Sequence, residues 1–279
     1  MKKFDFSRYI LVCRKQFVED WRRQIGFTAV MAILLFFVFW IINWQIDMMT
    51  AMDETNSAMS EKSVMTFSWT KIIAFASVVM LAIGYQSAHS MPFMKSKTSQ
   101  IAHVVLPATT LEKYLATETF AFVFSVIEAI VAFFIADGLQ FALTGRFTIA
   151  DIASISFSEL NNMFNIQEVN SFLTLVVCTV VASLFFHSAW FTLCATFFRK
   201  HPFLLGMLIL WGINQVLSIF GSMVSFDFIN EIFAAMDKMS KKEIMVQLQI
   251  FLYIAIFGQL VFAVGFWIWS YFRMKKVEL

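Results

Sequence analysis

The sequence predicts an all-α membrane protein. It has six transmembrane helices, both termini cytosolic, an amphipathic interfacial helix at the N-terminus and a short cytosolic helix between spans 2 and 3. Three observations carry this. Of 279 residues, 59% are hydrophobic and 14% charged, with a mean hydropathy of +0.74. Soluble domains carry about 25% charged residues, so an ordinary soluble globule is excluded. The apolar residues fall in six blocks with no barrel-like alternation, and a bilayer crossing needs about 20 mostly apolar residues per helix. Lys and Arg are distributed unevenly between the connections.

The blocks lie at about 27–44, 71–90, 117–137, 172–197, 203–220 and 249–271. Before the first comes a separate element, residues 1–26. There Phe6, Ile10, Cys13, Phe17 and Trp21 recur at three- and four-residue steps, with Arg8, Arg14, Lys15, Glu19, Arg22 and Arg23 largely elsewhere on the wheel. An apolar face opposite a basic one suits a helix in the inner headgroup layer; a helix packed on a neighbouring protein surface has the same pattern. No small-residue cleavage site follows the first apolar block, so that block is expected to be a retained span rather than a signal peptide.

Fifteen of the 21 basic residues fall on one side: seven before the first span, Lys95, Lys97 and Lys113 after the second, Arg199 and Lys200 after the fourth, and Arg273, Lys275 and Lys276 in the tail. Positive-inside asymmetry places that side in the cytosol. Pro92, Pro107 and Pro202 all fall in or beside these inner connections. The fourth and fifth spans are joined by the tight turn RKHPF, 199–203. Outside, 45–70 and 138–171 are polar and acidic connections. In 221–248, Phe228, Ile229, Ile232, Phe233 and Met236 suggest a short amphipathic helix, and Ser240 with Glu243 has capping-box spacing ahead of the sixth span.

The chemistry of enzymes and metal sites finds little support. His89, His103, His187 and His201 are scattered, Cys13, Cys178 and Cys194 form no CxxC, and no metal-ligand spacing or catalytic constellation occurs. Cysteines placed in spans and inner segments predict no structural disulfide. The net charge of +2 is too small to point to nucleic acid as a partner.

The segment between the second and third spans, LPATTLEKYLATE at 106–118, is the most informative. Pro107 disfavours helix at Leu106. Thr109 followed three residues later by Glu112 has capping-box spacing, so a helix begins at about 110 and runs into the third span, with Leu111, Tyr114 and Leu115 on one apolar face. As local structure this is a good helix start in an inner loop and nothing more. The tract Leu106, Pro107, Ala108, Thr109, Glu112, Lys113 and Tyr114 resembles one in permease subunits of bacterial type-2 ATP-binding-cassette (ABC) exporters, where it also lies between spans 2 and 3 of six. The resemblance implies that 27–279 is a six-span permease domain of the bacterial inner membrane, a multi-pass transport subunit and not an enzyme. It implies that 106–118 is a coupling helix seated on a separate ATPase subunit. Glu112 and Lys113 would then be polar contacts and Leu111, Tyr114 and Leu115 the packing face. Glu118, at the inner boundary, would relay movement by pairing with a basic residue. No G-x-x-x-x-G-K-[ST] occurs, so ATP and Mg would reside on the partner and this chain would bind no cofactor. A second permease chain, identical or related, would complete the pathway.

Within the spans, Glu128, His187, Asn214, Gln215 and Gln259 fall about 15–18 Å from the inner ends at about 1.5 Å per residue. Such residues either line a substrate path or gate, or hydrogen-bond between helices. Two other functions remain in play. An ion-coupled secondary carrier would use Glu128 and His187 as a proton relay. A self-contained intramembrane enzyme would need a motif of its own, and neither H-E-x-x-H, G-x-S nor a mid-span Asp pair is present.

Overall fold

The computed structural model describes residues 4–52, 57–91, 94, 97–145, 166–216, 218 and 241–278. Among them are seven helices and no strand: α1 Phe6–Met52, α2 Ser57–His89, α3 Lys97–Val105, α4 Thr110–Thr144, α5 Ile166–Phe197, α6 Pro202–Val216 and α7 Lys241–Glu278. Four stretches are long and apolar enough to cross a bilayer: Phe6–Gln45, Thr110–Thr144, Thr174–Phe197 and Val246–Lys276. Ile73–His89 and Pro202–Val216 are shorter apolar helices. This is the make-up of a multi-pass membrane protein, all-helical because lipid offers the backbone no other hydrogen-bond partners.

The helix ends follow local chemistry. Asp5 caps α1, its Oδ1 accepting from the Ser7 amide at 2.9 Å. Residues 6–26 and the first apolar block lie on one helix, α1 continuing to Met52 without a break. Likewise the expected connection 45–70 is largely helical, α1 and α2 both extending into it. No glycine or proline occurs from Phe27 to Ile83, so polarity alone does not end the helices. Gly145 closes α4 with φ +62°, its amide donating to the Phe141 carbonyl at 2.8 Å. The expected tight turn is present: α5 ends at Phe197, His201 takes a left-handed φ of 52°, and Pro202 opens α6. The expected outer helix around 228–236 and Ser240 lie outside the described residues.

The chain divides into two compact units. One holds Met1–Gln86 and Leu111–Ser171; the other holds Ser87–Thr110 and Phe172–Leu279. In the first, α1 and α4 run parallel, with Phe17 against Phe124 and Phe39 against Phe133 at centroid distances of 5.4 and 5.6 Å. α2 returns antiparallel to both, Phe27 stacking on Tyr85 and Phe75 meeting Phe133. The core joins Met31, Ala32, Leu35 and Phe39 of α1 to Ala82 of α2 and Ala132, Phe133 and Ala136 of α4. The buried face of α4 carries Ala121, Ser125, Ala129, Ala132 and Ala136 at helical spacing, the small-residue stripe that lets membrane helices approach closely.

In the second unit α5 and α7 run parallel, through Phe185 on Trp267, Phe186 on Phe266 and Phe197 on Trp269. α6 folds back on α5, with the Trp190 indole donating to the Gly206 carbonyl at 3.2 Å. At the end of α5, the Arg273 guanidinium lies 3.9 Å from the centroid of the Phe197 ring. Large apolar side chains such as Phe251, Ile254 and Phe257 stay exposed on α7, as expected of a surface whose solvent is lipid.

Candidate functional site

The approach to α4 is built by Pro107. The Ala108 amide donates to the Leu106 carbonyl at 2.8 Å, a three-residue turn with the proline at its centre. Helix begins at Thr110, where the Pro107 and Thr109 signals predicted it. Glu112 is the third residue of α4, placed to favour the positive end of the helix dipole.

The first turn of α4 packs against the start of α1. Glu112 is 0% exposed, and its Oε1 accepts from the Asp5 amide at 2.7 Å and from Arg8 Nη2 at 3.2 Å. Its carboxylate therefore serves the start of α1, 107 residues away in sequence. Lys113 and Tyr114 are buried as well. Of the residues expected to contact a partner, Glu112, Lys113 and Tyr114 are thus buried within the chain itself. A carboxylate taken out of water is stabilised by the two donors it meets here, the Asp5 amide and Arg8. Leu111 and Leu115 remain exposed, at 41% and 39%. Glu118 is buried one turn on. The contact with α1 continues at Gln16, whose Nε2 donates to Thr117 Oγ1 at 3.0 Å.

Glu128 is 6% exposed, and its Oε2 accepts from Gln86 Nε2 at 3.1 Å. The same amide donates to Gln24 Oε1, while Gln24 Nε2 reaches Gln86 Oε1 at 3.5 Å. One side chain from each of α1, α2 and α4 thus meets inside the first unit. Neither Gln24 nor Gln86 was singled out by the sequence. For Gln86 the signal available was its place in the second apolar block; Gln24 follows Arg22 and Arg23 and carried none.

In the second unit, Ser183 Oγ donates to Gln259 Oε1 at 3.1 Å, and His187 Nδ1 donates to the Ser183 carbonyl at 2.8 Å. His187 and Gln259 are therefore linked through one serine. Asn214 and Gln215 are exposed on α6. Among the described residues no group of three or more His, Cys, Asp or Glu is placed to hold a metal ion.

No protein-family model, curated protein or solved structure matches the chain.

Proposed function

We propose that this chain is the membrane permease subunit of an ATP-driven exporter of the ABC type. It forms half of a translocation pathway with a second permease chain in the bacterial inner membrane, and it is driven by a separate ATPase subunit that binds ATP and Mg. In this reading there are six spans: α2 and α6 cross along with the four longer helices, and both termini are cytosolic.

One observation carries the reading most directly. The tract that resembles the exporter subunits opens a single uninterrupted helix, Thr110–Thr144, with exposed Leu111 and Leu115 at its start and a small-residue face along its body. A push delivered at such a start is transmitted along the helix axis, because its backbone hydrogen bonds are continuous. The leucines, rather than Glu112 and Lys113, are the side chains available to a partner. The exposed apolar side chains Phe6, Ile10 and Trp21 on the first turns of α1 favour a headgroup-layer placement over packing on a protein neighbour.

The reading is tested by tagging the C-terminus, extracting the chain in mild detergent and identifying co-purifying proteins. A nucleotide-binding subunit whose ATPase activity depends on the chain is the expected result. A chain that purifies alone and transports on a proton gradient without ATP would replace this reading with the secondary carrier.

A further inference from the structure

The first turns of α1 and α4 are joined by an arrangement richer than adhesion requires. Glu112 holds the Asp5 amide at 2.7 Å and Arg8 Nη2 at 3.2 Å. Asp5 also caps α1 through the Ser7 amide, and its Oδ2 lies 3.6 Å from Arg8 Nε. The same residue therefore starts α1 and ties it to α4. Two further contacts extend the join along three turns, Gln16 to Thr117 and Phe17 to Phe124. Around them Phe6, Ile10, Leu11 and Val18 are exposed.

We propose that Asp5, Arg8 and Glu112 form a latch that makes the first turns of α1 and α4 one mechanical body, so that the N-terminal turns of α1 move with the start of α4. This rests on the coupling role proposed above for that start, and it adds α1 to the element that a partner would drive. The choice of residues supports a latch. Apolar side chains of similar volume usually hold two helices at least as well as a buried ion pair, whereas a charge cluster fixes one register and fails sharply when one member is lost. A fully buried carboxylate cannot slide along α1 without losing both donors, so register and attachment are set together.

Hydrogen exchange on the full chain in detergent tests the latch without any partner. Glu112→Gln keeps the shape and removes the charge. Arg8→Met removes the opposite charge from a side chain that is 29% exposed, and serves if Glu112→Gln does not accumulate. Loss of one charge-assisted bond is expected to speed local opening by about tenfold or more. The proposal predicts that acceleration in peptides covering 4–17 and, reciprocally, 110–121, with 27–44 unchanged. Exchange at 110–121 that stays as in the unsubstituted chain while 4–17 frays would overturn it, as would no change in either. Co-purification of an ATPase with the unsubstituted chain is scored separately. Its absence sinks the functional reading, while the exchange result decides the latch by itself.

Discussion

The α5–α6 hairpin offers the sharpest packing prediction. A Cβ at Gly206 would lie 3.0 and 3.1 Å from Phe191 Cε1 and Cδ1 and 3.1 Å from Cys194 Sγ. Neither neighbour has free space to retreat into: Phe191 is 1% exposed and Cys194 4%, and Phe191 is also held against Phe203. At Gly212, on the same helix, an added methyl would meet nothing within 4 Å. Gly→Ala in a helix interior gains roughly 0.5–1 kcal/mol from the backbone alone. Gly212→Ala should show that gain. At Gly206 the same gain is opposed by an overpacking cost of about 1–3 kcal/mol. Gly206→Ala is therefore expected to fall about 1–3 kcal/mol below Gly212→Ala. The two are compared by denaturant unfolding in one detergent, followed by circular dichroism and by the fluorescence of Trp190, whose indole bonds the Gly206 carbonyl. A Gly206→Ala chain as stable as Gly212→Ala would refute the hairpin packing.

Three more outcomes are expected. Gln86→Leu removes the amide that donates to Glu128 Oε2 and should cost about 1.5–3 kcal/mol. The triple variant Gln24→Leu/Gln86→Leu/Glu128→Leu should recover most of that loss in the same unfolding assay, because all three members of the hydrogen-bonded group are then replaced together. Gly145→Ala forces a methyl-bearing residue into φ +62° and should lower the unfolding midpoint by the equivalent of about 1 kcal/mol. Leu111→Asp with Leu115→Asp alters two exposed side chains. It should leave the unfolding midpoint within about 0.5 kcal/mol while abolishing ATPase co-purification.

What the sequence made legible was what neighbouring residues decide. Pro107 and Thr109 located the start of α4, Pro202 the start of α6, and the apolar blocks the bodies of the helices. The extension of α1 and α2 into the polar stretch 45–70 was also written there, in the missing glycines and prolines, but polarity is the more conspicuous signal and it marks solvent rather than helix ends. The partners of buried polar groups were not legible. Glu112 meets Asp5 and Arg8, and Glu128 meets Gln86, across separations of 107 and 42 residues. Glu112 also fits a local capping box, and local chemistry cannot disclose that a distant guanidinium meets the same side chain. Depth along a helix likewise does not fix which way a side chain faces.

A cytosolic ATPase can drive this chain through α4 only if the start of that helix faces the cytosol. With Cys13, Cys178 and Cys194 replaced by serine, Leu111→Cys places one exposed thiol there. A membrane-impermeant maleimide should label it in inside-out membrane vesicles and fail to label it in right-side-out ones. Equal or preferential labelling in right-side-out vesicles would place that turn outside and contradict the proposed coupling.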